Sequence, residues 1–290
     1  MPIYYFSQDL KLSYQVYGQQ DGVPAFYFHG LPGCRLEAEI LHNSCLELGV
    51  QLFAVDRFGY GQSSRVSVNR YQNWITAIEN LANHLSIKQF LLYAVSGGGP
   101  YALAVASALS DQVMGTTISG CLGPLQMAFL RKKVALMPRI LLTMAIYMPK
   151  LFKLSIGNLN NYLAKNHSQD IAKLLALING GADRQLLKTT EFSEFIARVY
   201  KEAFRQGYEG SMDDMKIAFQ PWPFSLSKVV NLQLWHGSSD KIVECVHSQW
   251  LAQQIRNTML NIVEGEGHLS LPFKYHREII LSGMQFIHNE

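Results

Sequence analysis

Short apolar runs alternate along this chain with segments in which apolar residues recur three and four positions apart. Runs bounded by turn residues predict strands, and the wider spacing predicts helices. The predicted strands are Ile3–Phe6, Leu10–Tyr17, Ala25–Phe28, Gln51–Val55, Phe90–Val95, Val113–Ile118, Leu232–Trp235 and Leu260–Val263. The predicted helices are Arg35–Leu48, Tyr71–Leu85, Tyr101–Leu109, Val246–Ile255 and Phe273–Ile287. Apolar strands separated by helices predict an α/β fold, with a mostly parallel central sheet and helices on both faces.

The alternation of strands and helices stops after the sixth strand. Residues 122–228 carry several helical patterns and no convincing strand, and strand signals resume at Leu232. The chain therefore divides into a first core part at 1–121, a helical cap at 122–228 inserted after the sixth strand, and a second core part at 229–290. We expect the cap to stand over the carboxyl edge of the sheet, because the chain leaves the sheet after the sixth strand and returns at the seventh, whose far end carries Asp240.

One serine lies on a sharp turn between a predicted strand and a predicted helix. Ser96 stands in the motif YAVSGGGP, where such a turn projects the hydroxyl from the sheet edge and requires small residues two positions before and after it. Ala94 and Gly98 meet that requirement. The amide of Gly97 lies at the positive end of the following helix, which favours a developing negative charge. A phosphate-binding loop would have lysine after its glycines, so the Pro-Tyr pair here argues against one.

A serine hydroxyl needs a base to take its proton and a carboxylate to orient that base. His268 follows the last predicted strand in the motif GEGHL, and Asp240 follows the preceding strand in HGSSD. Both lie where the carboxyl ends of parallel strands meet, in the chain order serine, acid, histidine. Asp56 is a rival acid, but it closes an earlier strand, and we interpret it and Arg57 as residues that shape their loop.

A second glycine-rich loop, HGLPG at positions 29–33, follows the third predicted strand. Its glycines allow the backbone to turn the N–H of Leu31 toward the serine, where this group and the N–H of Gly97 can stabilise an oxyanion. His29 is expected to anchor the loop by hydrogen bonding and not to transfer protons.

The motifs HGLPG, DRFGYGQS, AVSGGGPYA, HGSSD and GEGH together resemble the α/β-hydrolase superfamily, in particular lid-bearing serine hydrolases with an S-G-G-G-P-Y-A nucleophile turn. The resemblance covers the chain from end to end. It implies that Ser96 is the nucleophile, His268 the general base and Asp240 the carboxylate that orients it. It also implies that the backbone amides of Leu31 and Gly97 form the oxyanion hole.

The expected activity is hydrolysis of a carboxylic ester, with a small or medium apolar substrate and an acyl-enzyme intermediate. Hydrolysis of a carbon–carbon or amide bond on the same fold is an alternative, and so is a non-catalytic member that only binds a ligand. A serine at the turn disfavours dehalogenase and epoxide hydrolase chemistry, which needs a carboxylate nucleophile. The sequence predicts neither a cofactor nor a metal site.

Composition narrows the classes of partner and location. The formal charge of +3, without a Lys/Arg run beside aromatic residues, argues against nucleic acid. The cysteines are scattered without a C-x-x-C pair, and MPIYYFSQDLKLSY is not a secretory signal, which together predict a cytoplasmic protein. The apolar stretch Val134–Phe152 is interrupted by prolines and cations, so it does not predict a transmembrane helix.

The predicted cap is basic over much of its length. No acidic residue occurs between Gln112 and Gln169, whereas the cations there are Arg131, Lys132, Lys133, Arg139, Lys150, Lys153 and Lys165. This bias fits an anionic membrane surface or an anionic substrate, and it equally fits a solvated face. Residues suited to line an apolar pocket or to pack inside the cap are Met127, Phe129, Met137, Met144, Tyr147, Met148 and Phe152.

Overall fold

The described residues form one sheet of eight strands. The computed structural model describes residues 2–5, 10–66, 70–156 and 168–287. The strands are β1 Ile3–Tyr5, β2 Lys11–Gly18, β3 Val23–Phe28, β4 Val50–Val55, β5 Phe90–Val95, β6 Val113–Ser119, β7 Leu232–Gly237 and β8 Thr258–Val263. Their order is β1-β2-β4-β3-β5-β6-β7-β8, in which β2 pairs antiparallel with β1 and β4 and all other neighbours are parallel. The predicted mostly parallel sheet is confirmed.

Helices follow or precede most of the strands. They are α1 His42–Glu47, α2 Tyr71–His84, α3 Gly99–Ala108, α4 Ala128–Arg131, α5 Leu136–Tyr147, α6 at 149–156, α7 Ser168–Ile178, α8 Gly181–Leu186, α9 Thr190–Ala203, α10 Glu209–Ala218, α11 Val246–Gln254, α12 Ser270–Lys274 and α13 His276–Met284. Short 3-10 helices occur at Arg35–Leu41, Ser96–Gly98 and Leu226–Lys228.

Both faces of the central strands are buried. Phe26 of β3 and Phe90 of β5 meet edge to face at 4.9 Å and belong to the cluster around Trp74 of α2. Residues an odd number of positions farther along each strand point to the opposite face, where Tyr27 and Tyr93 pack against α13 and its neighbours. Side chains on a strand alternate between faces, so a strand covered on both sides has to be apolar throughout. That is why the strands read as continuous apolar runs.

Most elements agree with the sequence pattern to within a few residues. The predicted helix Arg35–Leu48 is a 3-10 helix at Arg35–Leu41 followed by α1, and other differences lie toward the ends of the chain. Strand β8 begins at Thr258, before the predicted Leu260, because this edge strand is only half-buried and its first residues need not be apolar. The last predicted helix is two helices, α12 and α13, that meet at Tyr275. Phe6, predicted to end the first strand, lies outside the described residues.

Helices α4 to α10 lie between β6 and β7 in the chain, and we refer to residues 122–228 as the cap. Helix α7 packs against α9, and α5 packs against α10. These helices contribute most of a second hydrophobic cluster, which includes Phe152, Phe192, Val199 and Met215 and also reaches core residues such as Cys34 and Tyr60. The division of the chain at 121 and 228 stays a prediction, and the predicted cap cation Lys165 lies outside the described residues.

No helix in 2–5, 10–66, 70–156 or 168–287 is long and apolar enough to cross a membrane. The cytoplasmic location stays a prediction.

A buried ion pair joins the last cap helix to the sheet. Both Nε and Nη2 of Arg57, in the loop after β4, donate to Asp214 Oδ2 of α10 at 2.9 and 2.8 Å. The hydroxyl of Tyr101 in α3 donates to Asp214 Oδ1 at 2.6 Å. Arg57 also donates to the carbonyl oxygens of His29 and Gly30, so one guanidinium links the cap to the loop after β3. Removing one partner of such a pair leaves the other charge buried and unpaired.

We therefore expect Asp214→Asn to lower the free energy of unfolding by about 3 kcal/mol, because Arg57 would keep its charge without a carboxylate. The matched control is Asp213→Asn in the preceding position, whose pair with Arg65 at 2.7 Å lies at the surface. That control should cost less than about 1 kcal/mol. Urea unfolding of both variants measures the difference, and equal losses would contradict the role given to Asp214.

Candidate active site

Ser96 lies on a strained turn between β5 and α3. Its φ is +53°, in the left-handed region that side chains disfavour. A Cβ added at Gly98 would lie 2.3 Å from the carbonyl oxygen of Phe28, and one added at Gly99 would lie 2.4 Å from Cys121 Sγ. The turn therefore packs too closely against its neighbours for side chains at those positions. This explains the glycines of the motif and fixes the direction of the serine side chain.

The structure brings Ser96, His268 and Asp240 into one hydrogen-bonded chain. His268 Nε2 lies 2.8 Å from Ser96 Oγ, and His268 Nδ1 lies 2.6 Å from Asp240 Oδ2. The three residues come from the loops after β5, β7 and β8, which meet at the carboxyl edge of the sheet. In this arrangement the imidazole can accept the serine proton while the carboxylate holds the opposite ring nitrogen.

Asp240 is held as an anion by its surroundings. Its Oδ1 accepts the backbone N–H groups of Ile242 and Val243 at 2.8 and 2.9 Å. Its Oδ2 lies 3.3 Å from His236 Nε2 in addition to the contact with His268. Burial alone would raise the pKa of this carboxyl, but the charge and hydrogen bonds of the two histidines lower it below its ordinary value.

Asp183 of the cap holds the loop that carries His268, and no pattern in the sequence indicated this role. Asp183 is buried in α8, and its Oδ2 accepts the N–H of His268 at 2.8 Å. Its Oδ1 accepts the N–H groups of Leu269 and Ser270 at 3.0 and 2.8 Å. These amides begin α12, where a carboxylate is stabilising. The cap therefore helps to position the histidine of the candidate site.

Close packing of Asp183 also explains a glycine in the GEGH motif. A Cβ added at Gly267 would lie 2.3 Å from Asp183 Oδ1 and 2.4 Å from its Cγ. A side chain at Gly267 would therefore push Asp183 away from the three amides.

Burial alone would lower the pKa of the His268 imidazole, but the negative charges of Asp240, Asp183 and Glu37 raise it above its ordinary value.

The backbone of Leu31 lies beside Gly97, as the predicted oxyanion site requires. A Cβ added at Gly97 would lie 3.4 Å from Leu31 N. The loop that carries Leu31 is held by His29, whose Nε2 accepts the N–H of Arg57 at 3.1 Å and whose Nδ1 donates to Gly30 O at 2.9 Å. Burial and the adjacent Arg57 charge lower the pKa of His29 well below its ordinary value. His29 is thus a neutral anchor of its loop.

Glu37 is a second carboxylate of the site that the sequence did not reveal. Its Oε2 accepts the N–H of Gly30 at 2.8 Å and the hydroxyl of Tyr27 at 3.1 Å. Burial raises the pKa of Glu37 to about 7, against the opposing effect of these hydrogen bonds. Glu37 therefore clamps the loop that carries Leu31 and lines the same pocket as Ser96.

Asp56 occupies a different part of the molecule from His268. Its Oδ1 accepts the N–H of Arg35 at 2.7 Å, and its Oδ2 accepts from Arg35 Nη1 at 2.6 Å and from the N–H of Gln62 at 3.2 Å. The hydrogen-bonded partner of His268 is Asp240. Asp56 ties the loop after β4 to the 3-10 helix after β3.

A pocket opens above Ser96, and the cap supplies one of its walls. The wall comes from α9, through Phe192, Phe195, Ile196 and Tyr200, and the lining also includes Ile40, Leu269 and Pro272. None of the cap methionines and aromatics named from the sequence is among the residues that line it. Met144 and Phe152 belong to the packing of the cap, whereas Phe129, Met137, Tyr147 and Met148 are exposed. Of the two roles expected for these residues, packing inside the cap holds for Met144 and Phe152, and the expectation that some of them line the pocket is wrong.

The titratable side chains around the pocket are arranged for hydrogen bonding. Over the described ranges, no group of three or more His, Cys, Asp and Glu side chains is arranged to hold a metal ion.

His247, the next buried histidine in the chain after His236, accepts the N–H of Gly123 at 3.0 Å. Burial lowers its pKa to about 4, which keeps this ring neutral.

The family of the chain follows from a match over most of its length. The model of the alpha/beta hydrolase fold family matches residues 26–275, a range that contains Ser96, Asp240 and His268. The chain belongs to the α/β-hydrolase fold family. No curated protein matches this α/β hydrolase.

Solved structures of similar fold cover this α/β hydrolase almost completely. A carboxylesterase of Nitrososphaera gargenis has a TM-score of 0.72 and 16% identity, over 99% of this chain and 97% of that one. An esterase of Thermogutta terrifontis has a TM-score of 0.69 and 17% identity, over 96% and 93%. A bromoperoxidase of Bacillus anthracis also has a TM-score of 0.69 and 17% identity, over 97% and 96%. At these identities the similarity establishes the fold, and these proteins differ in their named activities.

We expect the imidazole of His268 in this α/β hydrolase to titrate above pH 6.5, its ordinary value, because anionic carboxylates face it. Removing one of those charges in Asp183→Asn should lower the pKa, so that His268 becomes neutral at a lower pH. Histidine NMR titration measures both values. Asp213→Asn is the control, since that carboxylate pairs with Arg65 at the surface. An unchanged His268 pKa in Asp183→Asn would contradict this electrostatic role.

Proposed function

We propose that this α/β hydrolase is a serine esterase, which cleaves small or medium apolar carboxylic esters through an acyl-enzyme. The observation that carries the proposal is the hydrogen-bonded chain from Ser96 through His268 to Asp240, with contacts of 2.8 and 2.6 Å. A ligand-binding protein needs a pocket but has no use for a buried acid and base aligned on a strained serine. The named activities of the two esterases above agree with the proposal.

In the first half of the reaction, Ser96 Oγ attacks the ester carbonyl carbon while its proton moves to His268 Nε2. The carbonyl oxygen becomes an oxyanion, which the N–H groups of Leu31 and Gly97 would stabilise by hydrogen bonding. Asp240 stabilises the imidazolium that forms. The carbon–oxygen bond to the alcohol then breaks, and His268 donates its proton to the leaving alkoxide.

In the second half, water hydrolyses the acyl-enzyme. His268 takes a proton from the water, the hydroxide attacks the acyl carbon, and the same two amides stabilise the second oxyanion. Collapse of this intermediate releases the carboxylic acid and returns the proton to Ser96 Oγ. The base must be neutral to act, so activity is lost as the pH falls through the raised pKa of His268.

The character of the pocket supports an apolar acyl group. Phe192, Phe195 and Ile196 of α9 line it together with Leu269 and Ile40, and these side chains offer no polar group to a substrate. Water expelled from such a pocket strengthens the electrostatic interactions at Ser96. Glu37 is the carboxylate of the lining, and it is already engaged by Gly30 and Tyr27.

We expect Ser96→Ala to abolish labelling by a fluorophosphonate probe and to lower kcat for p-nitrophenyl esters by about five orders of magnitude. Asp240→Asn and His268→Ala should each lower kcat strongly, and the triple variant should be little worse, because the three groups act as a unit. Ser110→Ala, an exposed serine after α3, is the control. Persistent labelling of Ser96→Ala would refute the assignment, and faster cleavage of a matched amide would favour the alternative of an amide hydrolase.

We expect Ile40→Trp to raise KM for octanoate esters more than for acetate esters, because the larger side chain would occupy the pocket without touching the hydrogen-bonded chain. The ratio of kcat/KM between the two esters should change by about tenfold. Leu46→Trp, at an exposed position of α1, adds the same side chain outside the pocket and should leave the ratio unchanged. A parallel loss for both esters would show that the pocket does not select the acyl chain.

A further inference from the structure

Helix α5 has an apolar face that nothing in the described residues covers. Its inner side, with Leu142 and Ala145 buried, packs toward α10. Its outer side presents Leu136, Ile140 and Tyr147 along one stripe at helical spacing, and Leu136 and Tyr147 are 63% and 70% exposed. A surface helix of a globular protein normally turns charged and polar residues to water. The outer stripe of α5 is therefore unusual and requires an explanation.

The exposed apolar surface continues onto α6. There Phe152 and Ile156 are buried, while Leu151 and Leu154 point outward. Of the 17 large hydrophobic side chains that are exposed in the described residues, eight lie between positions 129 and 154, namely Phe129, Leu136, Met137, Ile140, Tyr147, Met148, Leu151 and Leu154. Isolated exposed apolar residues are ordinary, but a concentration of this kind marks an interaction surface. We call these eight residues the apolar cap surface.

Cations lie among these apolar residues, and the carboxylate found beside them in the described residues is Glu244, which pairs with Lys133 at 3.0 Å. Lys150 and Lys153 are exposed on α6 between the outward-pointing leucines, and neither forms an ion pair with a described residue. Arg139 of α5 donates to the backbone carbonyl oxygen of Lys132, which holds this guanidinium near the start of the surface. No acidic residue occurs in the sequence from 112 to 169. The surface is therefore complementary to a partner that is both apolar and negatively charged.

We propose that the apolar cap surface docks on the surface of an anionic lipid bilayer. The large apolar side chains would enter the boundary between headgroups and acyl chains, and the lysines would contact lipid phosphates. A protein partner fits less well, because lysine is depleted in the cores of protein interfaces. Here Lys150 and Lys153 are interleaved with Leu151 and Leu154, the pattern of a helix that lies in a membrane interface.

The docking surface and the candidate active site use different parts of the cap. The cap wall of the pocket comes from α9, whereas the residues of the apolar cap surface lie on α4, α5 and α6 and at Met148 between α5 and α6. Variants in this surface should therefore leave hydrolysis of a water-soluble ester unchanged. The proposal does not rest on the chemistry assigned to Ser96, and binding can be measured with an inactive protein.

The test is cosedimentation of the full chain with phosphatidylcholine vesicles, with and without phosphatidylglycerol. We expect binding to the anionic vesicles and little binding to phosphatidylcholine alone. Each lysine at such a surface contributes about fivefold to partitioning, so Lys150→Gln combined with Lys153→Gln should weaken binding by more than about tenfold. Ile140→Ser combined with Tyr147→Ser should weaken it comparably, by removing apolar side chains that insert.

The matched control combines Lys88→Gln with Leu281→Ser, which changes one exposed cation and one exposed apolar residue outside the cap. This control should bind vesicles as the unaltered protein does, and unaltered thermal unfolding would establish that all variants are folded. Equal loss in the control, or binding that ignores phosphatidylglycerol, would overturn the proposal. So would a dimer, seen by light scattering, that Ile140→Ser with Tyr147→Ser converts to a monomer, because a second copy would then cover the surface.

Discussion

Backbone atoms of the loop after β3 pack directly against the turn that carries Ser96, and this close approach sets the geometry of the candidate site. A side chain at Gly98 would collide with the carbonyl oxygens of Phe28 and His29, and one at Gly97 would collide with Leu31. The turn can therefore be this tight only with glycines, and packing of the neighbouring loop against it maintains the strained backbone of Ser96. The same contact brings the amide of Leu31 beside the serine.

The charged side chains in and around the candidate site are buried, and each has hydrogen-bonding or charged partners. Asp240, Asp183 and Glu37 surround His268 and raise its pKa, while Arg57 is paired with Asp214 and donates to carbonyl groups of the loop after β3. In a low-dielectric interior each of these groups depends strongly on its partner. Two of the carboxylates, Asp183 and Asp214, belong to the cap. The cap is thus a structural part of the site as well as a wall over it.

The sequence predicted both the sheet and the proximity of the candidate residues, and one physical reason explains both predictions. Strands buried on both faces must be apolar throughout, so they are visible as runs, and the carboxyl ends of parallel strands share one edge. Ser96, Asp240 and His268 each follow such a run, and the structure places them within hydrogen-bonding distance. The glycines of each motif could also be interpreted from the motif alone, since a sharp turn limits side-chain size wherever it occurs.

Only the tertiary structure identified Asp183, Glu37 and the pocket wall on α9. Asp183 is 85 residues from His268 in the chain and meets it through packing of the cap, which no local pattern reports. Helix α5 is apolar on several sides, so its periodicity does not show which side faces outward. Helix α9 is amphipathic, but its periodicity does not show which part of the protein its apolar side contacts. Local propensity and strand periodicity determine the core elements of this protein. Which cap residues meet the core depends on contacts between segments distant in sequence, and these form only when the chain folds.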